Sequence, residues 1–411
     1  MGSWVLDRGA LARRNQRLAA ERHQPSAKQR LRNGALRLIA KAPIAPQRAK
    51  SNRLLIIRPD HLGDMLLTTP AIQAIKRGRP ELSIHVLCGP WCAELLANYE
   101  EVDRALTLPF PGFGRGGPRG GNSWLLALQS AGKLRRIGYD SAIIMRPDHW
   151  WGALVAKLAG ICQRIGYDQP GVAPFLTDSR RLEHQHVVEQ NLRLAEMLTA
   201  TPSSESIGLG FPLQDEDRDY IDQRLAAWKI AGDKPLICIH AGSGAASKLW
   251  TCEKWATVAD TVAREFEAAV VLTGTSGEAG IVNDIAVRMK SGAGIIAGAT
   301  SLGQLAALYR RSLAVLGPDS GAMHIAAAVG APTITLFGPA DPIEFAPWGD
   351  RGRHAVVTSD IGCRPCRILE WRDDELENHP CVREITVEQV LGAARGVLGQ
   401  KSTHYQGIGE G

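Results

Sequence analysis

The segment Gly317-Pro318-Asp319-Ser320-Gly321-Ala322-Met323-His324 places a carboxylate, a hydroxyl and an imidazole around a glycine turn, between an apolar strand and a helix of small residues. The first amides of a helix have no internal partners, and the helix dipole adds partial positive charge there. The Ser320, Gly321 and Ala322 turn is therefore a ready anion site, with Asp319 beside it to grip hydroxyls and His324 one turn further in. A phosphorylated sugar would satisfy both halves. The same residues also read as an Asp or Ser cap on an ordinary core helix, so the rest of the chain must decide.

Three further segments could do chemistry. Arg58-Pro59-Asp60-His61-Leu62-Gly63-Asp64 follows an apolar strand and sets Asp64 at a helix start, where a carboxylate can act as a general base or merely serve the first-turn amides. His240-Ala241-Gly242-Ser243-Gly244-Ala245-Ala246-Ser247-Lys248 offers small residues for a close approach of phosphate and a lysine to neutralise it. Its spacing fits neither the Walker A pattern nor the dinucleotide fingerprint. Thr273-Gly274-Thr275-Ser276-Gly277-Glu278 again runs from strand to helix, and Glu278 is placed either to hold ribose hydroxyls or to favour the helix dipole.

These turns need strands and helices to hold them. From Arg53 onward short apolar strands alternate with helices: strands at 54–57, 84–87, 105–108 and 141–145, then 236–240, 269–273, 294–297, 313–316 and 333–336, with a helix expected from Met65 to Lys76. Such alternation predicts two doubly wound α/β domains with a cleft between them. The expected divisions are a basic arm at 1–50, a first domain at 51–205, a second at 206–400 and a tail at 401–411. A local echo, Arg58-Pro59-Asp60-His61 and Arg146-Pro147-Asp148-His149, puts two matching loops on one rim. The run at 111–122 is too rich in glycine for a regular element and reads as a binding loop or an insertion.

The 411 residues contain no apolar run long enough to span a membrane and no apolar signal core, which predicts a cytoplasmic protein. The net charge of +6 is uneven: residues 1–50 hold twelve Lys or Arg and two acids, leaving 36 bases against 40 acids elsewhere. A basic, partly amphipathic arm suits an anionic membrane surface, peripheral on the inner face of the cytoplasmic membrane. Nucleic acid is not expected, because Trp4 is the arm's only aromatic residue.

In order, Leu62-Gly63-Asp64 with Pro70-Ala71-Ile72, Lys248-x-Trp250, and Asp319-Ser320-Gly321-x-x-His324-x-Ala326 resemble the family 9 glycosyltransferases, the lipopolysaccharide heptosyltransferase family. The likeness runs from about Arg53 to Val390. It implies a GT-B fold, two Rossmann-like domains facing a central cleft. It also implies inverting transfer with neither metal nor cofactor, from a nucleotide-sugar donor of the ADP-heptose type to a glycolipid acceptor. By that resemblance Asp64 is the base and Lys248 stabilises the leaving diphosphate, with Ser243 and Ser247 as phosphate donors. Glu278 would contact ribose, Asp319 the donor sugar, and Ser320, Gly321 and His324 the phosphates. Arg58, Arg146, Arg115 and Arg119 are candidate contacts for acidic acceptor groups, and Cys363, Cys366, His379 and Cys381 could supply four zinc ligands, although packed, reduced thiols are the plainer reading. Two alternatives stand beside this: a GT-B epimerase of sugar nucleotides, and a membrane adaptor with a relict nucleotide-sugar site.

Overall fold

A computed structural model of the chain describes residues 7–47, 52–113, 122–199, 208–230, 234–371 and 373–399. Arg115, Arg119 and most of the 111–122 run lie outside them. The chain divides into an N-terminal unit, Pro25–Gly208, and a C-terminal unit made of Met1–Gln24 and Leu209–Gly411.

The N-terminal unit is built on strands β1 (Arg53–Arg58), β2 (Ser83–Cys88), β3 (Arg104–Thr107), β4 (Ser141–Ile144), β5 (Gln163–Tyr167) and β6 (Asp178–Arg180). They form one parallel sheet in the order β3-β2-β1-β4-β5-β6. The sheet of the C-terminal unit contains β7 (Leu236–His240), β8 (Ala269–Gly274), β9 (Gly294–Ala297), β10 (Ala314–Pro318), β11 (Thr333–Phe337) and β12 (His354–Thr358). Its order is β12-β11-β10-β7-β8-β9, again all parallel. Helices cover both faces of a parallel sheet, so its central strands read as unbroken apolar runs. Leu54, Leu55, Ile56 and Ile57 of β1 are accordingly all fully buried. In each sheet the strand order reverses once, between β1 and β4 and between β7 and β10, and ligands of such sheets gather outside the strand ends at that reversal.

Two expectations change. The helix expected from Met65 to Lys76 is two helices, α3 (Leu62–Leu66) and α4 (Thr69–Gly78). Pro70 lacks an N–H and fits the first turn of α4 rather than a helix interior. At the break, buried Asn191 donates Nδ2 to the Leu67 carbonyl at 3.0 Å, which satisfies a group the interrupted helix leaves open. That break ends α3 at Leu66, just past Asp64.

The segment 1–50, expected as a single arm, is also divided. It holds two helices, α1 (Arg8–His23) and α2 (Ala27–Ala40). α1 belongs to the C-terminal unit, because its cations find acids there. Arg8 pairs with Glu384 at 2.8 Å and with Asp360, and Arg14 lies 3.7 Å from Glu375. Asn15 also donates to the Asn378 carbonyl at 2.7 Å. α2 belongs to the N-terminal unit and buries Leu36 against Ile144, Leu154 and Phe175. No described helix is long and apolar enough to cross a membrane.

Candidate functional site

At the β1/β4 reversal the two echo loops meet, as their placement on one rim requires. Arg58 donates Nη1 to the Met145 carbonyl at 3.1 Å. Between the loops lies Asp60, whose carboxylate pairs with Arg58 Nε at 2.8 Å and with Arg146 Nη1. The Arg58 contact is an ion pair without the angle of a hydrogen bond. Burial alone would raise the Asp60 carboxyl, but the two guanidiniums outweigh it and hold it below the usual carboxylate range.

Asp64 stands in the single turn of α3 and accepts from Arg58 Nη2 at 3.3 Å. It is not the helix cap: His61 occupies that position. Arg58 is itself buried and occupied by Asp60, Asp64 and Met145, so it does not offer an open guanidinium to an acceptor, contrary to the expectation for it. Arg146 remains partly exposed, pairing with Asp148 at 2.6 Å and lying over the Phe113 ring.

The reversal also holds a residue the sequence reading passed over. His149 is buried, edge-on to Phe110 at 5.3 Å, and neither ring nitrogen has a hydrogen-bond partner among the described residues. Burial pushes its pKa down to about 4, so the ring is neutral at neutral pH. The second copy of the Arg-Pro-Asp-His echo was the signal that could have found both His149 and the role of Asp60.

In the C-terminal unit the β7/β10 reversal gathers the donor-side candidates. Lys248 Nζ lies 2.5 Å from Asp319 Oδ2, and both side chains are largely buried. Ser243 Oγ and Lys248 Nζ each reach the Asp319 backbone carbonyl at 3.4 Å. Asp319 also anchors to β11 by donating its amide to the Leu336 carbonyl at 2.9 Å. Ser320 caps the helix Gly321–Ala328 through backbone geometry alone, and its buried hydroxyl has no hydrogen-bond partner among the described residues. His324 is buried within the same helix.

Glu278 sits on the neighbouring loop after β8, where its carboxylate closes a capping box by accepting from the Thr275 amide at 2.8 Å and hydroxyl at 2.9 Å. It approaches His240 Nε2 to 3.9 Å. Burial lowers the pKa of His240, against the opposing pull of Glu278. Gly242 allows this approach, since a Cβ there would lie 2.1 Å from the Glu278 carboxylate carbon.

Ser247 is not brought to the group. It donates to the Leu369 carbonyl at 2.9 Å and so faces the loop that carries the cysteines. Trp250, too, is core: it stacks edge-on to Trp255 at 4.9 Å and donates to the Ile385 carbonyl.

Cys363, Cys366, His379 and Cys381 line one small cavity of about 10 Å³, together with Ser247 and with Asn15 of α1. They do not fit a zinc site. Among the described residues no group of three or more His, Cys, Asp or Glu is placed to hold a metal ion. The His379 ring is stacked on Trp371 at 3.4 Å, and burial raises all three thiols, Cys381 to about 12. Zinc needs thiolates, and these are packed thiols.

A family model described as glycosyltransferase family 9 (heptosyltransferase) matches residues 128–374. The lipooligosaccharide heptosyltransferase 2 of Haemophilus ducreyi is 31% identical over 353 residues, covering 82% of this chain and 97% of that protein. A glycosyl transferase family 9 structure from Veillonella parvula matches with a TM-score of 0.71 at 23% identity, over 86% of this chain and 99% of that one. The Escherichia coli ADP-heptose lipopolysaccharide heptosyltransferase II structure matches with a TM-score of 0.65 at 24% identity, over 85% and 99%. Two parallel six-stranded sheets with flanking helices are shared with both, and the fold is GT-B.

Proposed function

Because this chain belongs to glycosyltransferase family 9, and is therefore a glycosyltransferase, we propose that it moves a heptose from an ADP-heptose-type donor to a lipopolysaccharide-core or related glycolipid acceptor. The observation that carries the site assignment is the Lys248–Asp319 pair beside Ser243, at the strand reversal of the C-terminal sheet.

On this reading the transfer is inverting and metal-independent. Asp64, held by Arg58, takes the proton of the acceptor hydroxyl as its oxygen attacks the anomeric carbon of the donor. The bond to the diphosphate breaks and negative charge develops on the leaving group. Lys248, Ser243 and the first-turn amides at Ser320 and Gly321 meet that charge, and so bind the transition state more tightly than the ground state. Asp319 orients the ammonium and presents its carboxylate to donor-sugar hydroxyls. His324 supports the same helix turn, and Glu278 contacts the ribose. Arg146 is the acceptor-side cation that remains partly open; Arg58 acts through Asp64 as a positioning residue. The acceptor is lipid-anchored, which puts the work at the inner face of the cytoplasmic membrane.

The test is ADP release and product formation from ADP-heptose with a core-truncated lipopolysaccharide, with and without a chelator. Asp64→Ala should lower kcat by about 10²–10⁴-fold, the worth of a positioned base, with the donor KM little changed. Full turnover by that variant would remove Asp64 from the mechanism. A chelator-sensitive rate, or a product that retains the donor's anomeric configuration, would overturn the metal-independent inverting route.

A further inference from the structure

Among the described residues of the N-terminal unit, the large apolar side chains that stand exposed lie on two helices. Leu31 and Leu38 of α2 are 78% and 70% exposed, and Trp124, Leu125 and Leu128 of the helix Ser123–Ile137 are 46%, 52% and 60% exposed. At about 100° per residue, Leu31 and Leu38 share one face, roughly opposite the buried Leu36. On the second helix the three exposed residues fall at i, i+1 and i+4, one patch over its first turns, while Ala127, Ala131 and Leu134 turn inward.

The two helices are linked at both ends. The Trp150 ring takes the Arg32 guanidinium on its face at 5.2 Å and the Trp124 ring at 6.0 Å. Beyond α2, the Ala45 carbonyl accepts from Arg135 Nη1 at 2.8 Å. Neither helix contains an acidic residue. Lys28, Arg30 and Arg37 of α2, with Lys133 and Arg136 of the second helix, are all exposed.

We propose that this face docks on an anionic lipid bilayer. The leucines and Trp124 would enter the boundary between headgroups and acyl chains, and the cations would lie over the phosphates. Exposed leucines accompanied by cations, with no acid on either helix to repel lipid phosphate, are what an in-plane membrane helix requires. Tryptophan at the edge of such a face suits the interfacial depth. A polyanion in solution would use the cations and leave the leucines without purpose. The membrane contact expected of residues 1–50 thereby moves off α1, whose Arg8 and Arg14 are paired with acids of the C-terminal unit, and onto α2 together with the helix Ser123–Ile137. Docking rests on the transferase reading only for its purpose, access to a lipid-anchored acceptor.

The experiment is co-sedimentation of the full chain with vesicles of phosphatidylcholine alone and of phosphatidylcholine mixed with phosphatidylglycerol. Binding is expected to the mixed vesicles, to weaken with salt, and to fall roughly fivefold for each of Arg30→Gln and Arg37→Gln. A Leu31→Ser, Leu38→Ser, Trp124→Ser, Leu128→Ser variant should bind at least about tenfold more weakly still, with unchanged circular dichroism because the altered side chains are exposed. Wild-type chain that ignores anionic vesicles, or a quadruple variant that binds them as wild type does, overturns the proposal. So does a quadruple variant that changes only the oligomeric state seen by light scattering, or duplex DNA capturing both proteins equally while vesicles capture neither. Transfer to a deacylated, soluble acceptor should be equal for wild type and quadruple variant. If transfer is absent from both while vesicle binding differs, the transferase reading fails and the docking surface stands.

Discussion

Lys248 Nζ and Asp319 Oδ2 meet at 2.5 Å, joining the loop after β7 to the turn after β10. The two loops are 71 residues apart in sequence, and the Asp319 carbonyl also receives the Ser243 hydroxyl and the Lys248 ammonium. Removing one partner of a buried pair leaves the other charge uncompensated, at a cost of about 3–5 kcal/mol. Lys248→Ala and Asp319→Ala should each destabilise the chain, while the double variant should lose less than the sum, with a coupling of about 1–3 kcal/mol in denaturant unfolding. Strictly additive losses would show that the pair is not coupled. In turnover, Lys248→Ala should cost about 10²–10³-fold in kcat, the scale of one lost electrostatic donor to a developing anion.

Asp60 is the shared counter-ion of Arg58 and Arg146. Asp60→Asn leaves buried Arg58 with only Asp64, and partly exposed Arg146 with only Asp148, and should destabilise the N-terminal unit by about 1–3 kcal/mol. Because Asp64 is held through Arg58, the same variant should also lower kcat while donor binding to the C-terminal unit, read by calorimetry with ADP, stays as in wild type. An unchanged kcat would disconnect Asp60 from Asp64.

His149 predicts a pH dependence of stability with a definite sign. Its folded pKa is depressed to about 4, below the ordinary value of 6.5, so the unfolded chain binds a proton at a higher pH than the folded chain does. Stability from this group is fully present above about pH 6.5 and is lost as pH falls toward 4, with a slope near 1.4 kcal/mol per pH unit for one proton. His354 and His379, also depressed to about 4 by burial, steepen the fall in the same window. Asp60, whose pKa is lowered, adds its own loss only at more acidic pH. His149→Phe keeps a ring against Phe110 and should reduce the slope between pH 6.5 and 4 by about one proton's worth. Parallel wild-type and variant curves would show that His149 is already charged in the folded chain.

Gly242→Ala drives a methyl group into the Glu278 carboxylate. Overpacking of this kind costs about 1–3 kcal/mol, and here it should also pull Glu278 out of its capping box with Thr275 and weaken nucleotide binding. Adding Glu278→Ala should restore much of the stability without restoring the binding. If stability does not recover, the clash lies elsewhere.

The fold was largely legible because parallel strands buried on both faces leave apolar runs that need no partner to be recognised, as Leu54–Ile57 and Leu236–Ile239 show. β5, β6 and β12 are not legible as apolar runs, because polar and charged residues interrupt them: Gln163, Arg164, Asp178, Arg180 and His354 all lie within them. Pro70 could have marked the break between α3 and α4, but the donor that makes the break tolerable, Asn191, lies 124 residues from Leu67. The site divides in the same way. Asp319, Lys248 and Ser243 each stand in a recognisable turn, and their turns meet. Arg58 and Ser247 stand in equally recognisable turns but aim elsewhere, at Asp60 and at the Leu369 carbonyl. Which way a side chain leaves a loop depends on tertiary partners that local sequence does not specify.

α1 has a consequence for how the chain comes to be folded. It precedes the whole N-terminal unit, yet its partners Glu384 and Gly362 lie 376 and 346 residues further along. At a synthesis rate of about 5–20 residues per second, α1 emerges roughly twenty seconds to more than a minute before the surface it will cover. During that interval Arg8 and Arg14 of α1 lack the acids they pair with in the finished unit. The C-terminal unit thus takes up its α1 contacts only once residues far later in the chain have been made.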